Sequence, residues 1–327
     1  MKLTGENTSA ARAASGDSGK GREPSGALAQ SKPDWAAFAG GDPAEAEAPG
    51  PAPGLHLVAT PIGNLGDVSL RALAVLRGVD RIWCEDTRVT TRLLARYGIR
   101  TPLEAYHDHN AEQVRPRVLA ALRRGKRVAL TSDAGTPLVS DPGYKLVRAA
   151  IAEGLPVTAA PGASAALTAL ILSGLPPDPF LFAGFLPKQQ NARRQALARW
   201  AGLEASLVFY EAPPRLAATL ADMAEILGTR PAAVARELTK LHEEVRRGSL
   251  ADLADHYREH GPPRGETVIV AGPPEPTAPD PEEVDRRLRA ALAEFGVRDA
   301  AAKIAAETGL RRAELYRRAL AIRDGAR

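Results

Sequence analysis

From Leu55 onward short apolar runs alternate with helical stretches, and this alternation constrains the fold more than any other feature of the chain. The runs "LHLVAT", "RIWCE", "LEAYH", "RVALTS" and "VTAAP" have the length and apolar content of buried strands. Between them lie "SLRALAVLRG", "VTTRLLARYG", "AEQVRPRVLAALRRG" and "GYKLVRAAIAEG", helical stretches that close on Gly, a common helix stop. Strands that alternate with helices imply an α/β fold with a parallel sheet covered on both faces. A further helix from about Ala163 closes this unit near Leu172.

The break "LSGLPPDP", at 172–179, marks a domain boundary. Beyond it "FLFAGF", "SLVFYE", "AAVARELT", "EEVRRGS" and "ETVIVAG" are strand-like, with helices expected at 189–201, 213–227 and 249–259. "AAVARELT" and "EEVRRGS" are separated by only about three residues, so they are expected to pair as an antiparallel hairpin and make the second sheet mixed. "PPEPTAPDPEE" is a Pro-rich linker, and the chain after it is helical. The expected organisation is a disordered tail at 1–53, α/β domains at 54–175 and 176–272, a linker at 273–283 and a helical segment at 284–327. The tail is assigned on composition: it is rich in Ala, Gly, Ser, Pro and Glu and too poor in Ile, Val and Phe to offset its ordering entropy.

Composition narrows the class further. No apolar run approaches the length of a membrane span, and the N-terminus has no basic-then-apolar signal pattern. The single cysteine, Cys84, excludes an internal disulfide and a cysteine-based zinc site. A soluble, cytoplasmic protein is expected. The net charge of +4 is uneven: residues 1–53 carry five Lys/Arg against seven Asp/Glu, so the basic excess lies in the remainder, where it suits a polyanionic partner.

In an open α/β sheet, ligands bind beyond the C-terminal ends of the strands. Three loops at such positions stand out: "TPIGNLGD" (60–67), "SDAGTP" (132–137) and "PGASAA" (161–166). Each sets Gly or Pro beside small or hydroxyl residues, where the backbone turns and a ligand can approach closely. Singly these are tight turns; three at one sheet edge point to a ligand site. There is no G-x-G-x-x-G with a following acid, no Walker A loop and no H-E-x-x-H, which leaves a nucleotide-like ligand in an atypical site. "EDTR" (85–88) ends the second strand with two acids and an arginine, either a helix cap or a site. "YHDHN" (106–110) carries His107 and His109, which on a strand would share one face; a metal, catalysis or hydrogen bonding would each use that arrangement.

In this order, "LHLVATPIGNLGDVSLRALAVLRGVD", "CEDTR", "HDHN", "SDAGTPLVSDPGYKLV", "PGASAALTAL", "FLFAGFLP", "FYEAPPRL" and "ARELTK" resemble the ribosomal RNA small subunit methyltransferase I family, a branch of the tetrapyrrole methylase superfamily. The resemblance covers about residues 54–327. It implies a two-domain tetrapyrrole-methylase-like fold, a homodimer, and transfer of a methyl group from S-adenosylmethionine to the ribose 2′-oxygen of a cytidine in the decoding region of 16S ribosomal RNA. Carried over by position, it places Pro61, Ile62, Gly63, Asp133, Gly135, Thr136, Ser164 and Ala165 on the cofactor, with Tyr210 and Glu211 covering it from the second domain. Related tetrapyrrole methylases have G-x-G-x-G in the first loop, where this chain reads T-P-I-G-N.

A ribose hydroxyl is a weak nucleophile, so a base or a stabiliser of the developing alkoxide is required. Glu85, Asp86, His107 and Asp108 are the candidate catalytic residues, and Arg88 and Lys240 would orient phosphate or ribose. Within the "SDAGTPLVSDPG" loop, Asp133 is expected on the cofactor, and Ser140 or Asp141 is expected to cap the next helix, with a substrate-side role for Asp141 as the alternative. "AAKIAAETGLRRAELYRRAL" (301–320) has a helix-turn-helix pattern, and Arg311, Arg312, Arg317 and Arg318 are expected to dock on RNA phosphates. The competing readings are a small-molecule methyltransferase of the tetrapyrrole type and a non-enzymatic ribosome-associated factor. The basic tail and the missing G-x-G-x-G oppose the former, and the intact cofactor loops oppose the latter.

Overall fold

The computed structural model describes residues 50–274 and 280–325. Most of the expected tail at 1–53, and the centre of the expected linker at 273–283, lie outside the described residues.

Strands β1 (Gly54–Val58), β2 (Arg81–Cys84), β3 (Leu103–Ala105), β4 (Arg127–Thr131) and β5 (Val157–Ala160) form one sheet in the order β3-β2-β4-β1-β5. All its pairings are parallel. The crossovers are α1 (Leu70–Gly78), α2 (Thr87–Arg96), α3 (Ala111–Arg123) and α4 (Tyr144–Ala152). Leu73, Leu76, Leu93 and Leu94 of α1 and α2 pack on one face with Val58, Ile82 and Ala129. Val118, Leu122, Leu146 and Ala150 of α3 and α4 pack on the other with Leu55, Trp83 and Leu130. Adjacent residues such as Ile82 and Trp83 therefore serve opposite faces, which is why these strands are continuous apolar runs rather than alternating ones.

The second sheet contains β6 (Phe180–Phe185), β7 (Ser206–Glu211), β8 (Pro231–Arg236), β9 (Glu244–Ser249) and β10 (Thr267–Ala271), in the order β6-β7-β10-β8-β9. Only β6 and β7 are parallel, and their register shifts at a bulge between Phe182 and Gly184. Helices α6 (Gln190–Ala198), α7 (Leu216–Leu227) and α8 (Leu250–His260) cover one face through Leu197, Leu220, Met223 and Leu253. The other face is covered by α5 (Ala165–Ser173), whose Ala166, Ala169 and Leu170 pack on Val208, Ala235 and Val270. Helix α5 leaves the first sheet yet buries itself on the second, so it ties the two together.

Strands β8 and β9 pair antiparallel as expected, but the loop between them spans residues 237–243 rather than about three residues. The chain leaves the extended conformation because Glu237 and Thr239 are left-handed, at φ 48° and 65°. The Glu237 carboxylate fixes this turn by accepting from the Glu266 amide at 3.0 Å and from Lys240 Nζ at 2.8 Å.

Helices α9 (Pro281–Glu294), α10 (Val297–Thr308) and α11 (Arg312–Gly325) follow. They share a core of their own in Val284, Leu288, Ile304, Leu315 and Ala319. Gly309, at φ 68°, ends α10 in the left-handed conformation that the helix-turn-helix pattern requires. Among the described residues no helix is long and apolar enough to cross a membrane.

Candidate active site

The order of the first sheet organises the site. Strand β4 is central, with β1 and β5 on one side and β2 and β3 on the other. The loops after β1, β4 and β5 therefore converge on one side, and "EDTR" and "YHDHN" converge on the other.

The three loops are tied together by their own polar groups. Thr60 and Gly135 exchange both backbone hydrogen bonds, at 2.8 and 3.0 Å. Thr60 Oγ1 donates to the Ser132 carbonyl at 3.2 Å, and Ser132 Oγ donates to the Gly135 carbonyl at 3.0 Å. Thr136 Oγ1 donates to the Ala163 carbonyl at 3.3 Å, so this hydroxyl braces the floor of the site. Ser164 is the N-cap of α5. Gly135 is left-handed at φ 80°, and a Cβ there would meet Ile62 Cγ2 at 3.3 Å.

Above this floor lies a cleft of about 430 Å³ between the two sheets. Ile62, Asp133, Gly135, Thr136, Ser164, Ala165, Tyr210 and Glu211, all named from the sequence, line it. Pro61 and Gly63 do not; Gly63 instead lies against the Lys240 side chain. Tyr210 packs edge-on against Phe182 and Phe185, with ring centroids 4.9 and 5.5 Å away. The Glu211 carboxylate is spent within its own domain: it accepts from Thr219 Oγ1 at 2.6 Å and the Ala212 amide at 2.8 Å, and pairs with Arg215. Its part in the cleft is to shape the wall.

A second, open pocket of about 420 Å³ adjoins the cleft and is lined by Glu85, Asp86, Thr87, Arg88, Ala105, His107 and Asp133. Asp133 borders both spaces. Its Oδ1 accepts from the Asp86 amide at 2.8 Å, which pins the β4 loop to the β2 loop. Asp86 caps α2 through the Arg88 amide at 2.8 Å and is forked by the Arg88 guanidinium. These bonds hold the Asp86 carboxyl down at about 2, so it is a poor base, and its pairing leaves Arg88 partly neutralised at the pocket rim. His107 and His109 lie in the turn after β3 and not on the strand, with ring centroids 6.0 Å apart. His107 faces the pocket with a buried Nδ1 that has no hydrogen-bond partner among the described residues, whereas Asp108 and His109 are exposed. Among the described residues no three His, Cys, Asp or Glu side chains have metal-binding geometry.

The acid that the sequence assigned to a helix cap is placed elsewhere. Gly143 occupies the N-cap of α4 and no side chain caps that helix. Asp141 instead lines the cleft. Leu138 and Ser140 beside it are held at φ 73° and 67°, a conformation that costs non-glycine residues energy and clusters at functional sites. Burial, and then the Glu85 carboxylate, push the Asp141 carboxyl up to about 6. Burial also raises Glu85 and Asp133, with Asp133 and Asp108 adding to the rise at Glu85. The arrangement offers one carboxyl, Asp141, poised to take a proton near neutrality, beside a cleft of nucleoside size. The sequence also gave no notice of Glu266 and Phe185 as lining residues.

Besides Arg88, paired with Asp86, two residues named for RNA are committed to ion pairs. Lys240 Nζ bonds Glu237 and Glu266, both at 2.8 Å, and so latches the cleft wall rather than presenting a free cation. Arg318 bonds Asp285 of α9 at 2.5 Å and braces the helical segment. Arg311, Arg312 and Arg317 are exposed.

Comparison with known proteins agrees with this geometry. A family model described as tetrapyrrole (corrin/porphyrin) methylases matches residues 54–254, and one described as the RsmI C-terminal HTH domain matches 278–323. A ribosomal RNA small subunit methyltransferase I of Mesorhizobium japonicum is 52% identical over 273 residues, covering 83% of this chain and 93% of its own. Its namesake from Erythrobacter litoralis is 53% identical over 271 residues, covering 83% and 96%. Among solved structures, diphthine synthase superposes with a TM-score of 0.52 at 15% identity, over 67% of this chain and 89% of that one. Cobalt precorrin-4 methyltransferase does so with 0.50 at 17%, over 67% and 94%. At such identities the structural likeness speaks for the fold alone.

Proposed function

The chain belongs to the ribosomal RNA small subunit methyltransferase I family of tetrapyrrole methylases, and from that premise we propose that it methylates the ribose 2′-oxygen of a cytidine in the decoding region of 16S ribosomal RNA. The observation that carries the reading is the pair of spaces sharing Asp133: a nucleoside-sized cleft and an open, acid-lined pocket beside it. The C-terminal helices support the RNA substrate over the small-molecule alternative, because they match the RsmI C-terminal HTH domain and carry exposed arginines.

The cleft suits S-adenosylmethionine. Ile62, Ala165 and Leu238 offer an apolar bed, Glu266 and Asp133 offer acceptors, and Gly135 leaves room that a Cβ would fill. When bound, the cofactor supplies an electrophilic methyl group on a sulfonium. The chain's own residues do the rest: the floor loops fix the donor, and the open pocket admits the acceptor nucleotide, since positioning supplies much of the rate in such a transfer. Asp141 takes the hydroxyl proton, with Glu85 beside it. Exposed Leu167 and Ile171 on α5, and Phe180 and Phe185 on edge strand β6, support a homodimer. A cytoplasmic location follows from the ribosomal substrate.

The deciding experiment is transfer of labelled methyl from the cofactor to assembled small subunits, followed by mapping of the modified nucleotide. Label on a base, or on no RNA, would sink the reading. Deletion of 281–327 is expected to weaken subunit binding at least tenfold while cofactor affinity stays within twofold, because α9–α11 bury a core separate from those around the cleft. Titration calorimetry and filter binding measure the two, and unchanged subunit affinity would refute the docking role.

A further inference from the structure

Helix α2 begins at the acid-lined pocket, where Thr87 and Arg88 form part of the lining. Its inner side buries Thr90, Leu93 and Leu94 against the sheet. Its outer side carries Arg88, Arg92 and Arg96, and Arg100 follows the turn at Gly98; all four are exposed. From residue 87 to 103 the chain holds these four arginines and no acid.

Like charges four residues apart destabilise a helix slightly, and cations near its N-terminus oppose the dipole. This helix nonetheless repeats arginine with that spacing. Arg88 is partnered by Asp86, whereas among the described residues Arg92, Arg96 and Arg100 make no ion pair. Elsewhere around the first sheet, Arg123 pairs with Glu153 and Arg117 with Glu104, while Arg124 and Arg148 are exposed without an ion pair among the described residues but do not repeat along one helix face. A rise of 1.5 Å per residue sets Arg92 and Arg96 about 6 Å apart along the axis, close to the step between neighbouring phosphates on one nucleic acid strand.

The geometry points to a phosphate track: Arg92, Arg96 and Arg100 bind the backbone of the RNA strand whose nucleotide enters the pocket at Glu85, Asp86 and His107. This rests on the RNA-methyltransferase reading. The track makes no base contacts, so it supplies affinity and register while the pocket selects the nucleotide. It also gives the net basic charge of the described chain a place of use outside the C-terminal helices.

The test is R92Q/R96Q in the full chain, with assembled small subunits as ligand. Arg124, at the C-cap of α3, and Arg148 on α4 are exposed, and these helices cover the opposite face of the sheet, so R124Q/R148Q is a control of equal charge loss. Binding by R92Q/R96Q is expected to weaken tenfold or more at about 0.15 M salt. The slope of log Kd against log salt should fall by about 1.5, at roughly 0.7–0.9 per lost phosphate contact. KM for subunits rises accordingly, while kcat at saturation and cofactor affinity hold. R92K/R96K, which keeps the charge, should retain the slope. If R92Q/R96Q binds like wild type or like the control, the track is wrong although the methyltransferase reading stands. If wild type neither binds nor methylates the subunits, that reading falls and the track with it.

Discussion

Asp141→Asn is expected to lower methyl transfer by about 10²–10⁴-fold, the range removed with a general base, while leaving cofactor affinity nearly intact. The carboxyl lies in the cleft wall beside Glu85 and Asp133, where burial and those like charges lift it to about 6. In the transfer proposed above, the ribose O–H bond would break and its proton pass to Asp141. The oxygen would then take the methyl group, and the electrons of the old carbon–sulfur bond would stay on sulfur. Wild-type kcat/KM should rise with pH through a limb near 6, and the asparagine variant should lose that limb. A variant that kept wild-type kcat, or the same limb, would dismiss Asp141 as the base.

The same substitution has a signed effect on stability. A carboxyl raised in the fold favours its protonated form there, so the stability that Asp141 contributes is fully present below the unfolded value of 3.8 and is lost as pH rises through about 6. Asparagine has no charge to desolvate. D141N should therefore melt higher than wild type at pH 8 and match it near pH 4. Higher stability joined to lost activity separates a strained functional group from a structural one. A lower melting temperature at pH 8 would argue for a structural role instead.

Much of the fold was legible because the first sheet is buried on both faces. Its strands are then largely apolar runs, as at Ile82, Trp83 and Cys84, and its crossover helices end at recognisable stops such as Gly98. The sheet order was not legible, since nothing local to β4 tells it to sit between β1 and β2. That order is what brings Asp133 to both the cleft and the acid-lined pocket. Asp141 was misplaced for a related reason. A short acid before Pro-Gly satisfies the local rule for a helix cap, but its position depends on the second sheet. There the β6 bulge leaves Gly184 at φ 64°, with room for Ser140 Oγ to stand 3.3 Å from where a Cβ would be. Lys240 looked like a free cation at a strand end, and its partner Glu266 lies 26 residues further on.

Gly135→Val is expected to raise the dissociation constant for S-adenosylhomocysteine, a non-reactive probe of the cleft, at least tenfold, which is about 1.4 kcal/mol. Gly135 sits at φ 80°, where a side chain costs about 1–2 kcal/mol, and β-branching adds to that. The new Cβ would also stand 3.3 Å from Ile62 Cγ2 and 3.5 Å from the Ala163 carbonyl. If the residue turns to relieve the strain, it breaks the paired bonds to Thr60 that hold the β4 loop to the β1 loop. Either outcome displaces the floor of the cleft, so the binding-competent shape becomes a minor population and apparent affinity falls by that fraction. Gly154 supplies the control: it lies at φ 68° with no atom within 4 Å of a built Cβ, outside the cleft. Gly154→Val should lose stability through the same backbone cost and keep full affinity. Calorimetric titration of both variants, with melting curves alongside, separates the two effects. Equal affinities would mean that the three loops do not form the cofactor floor.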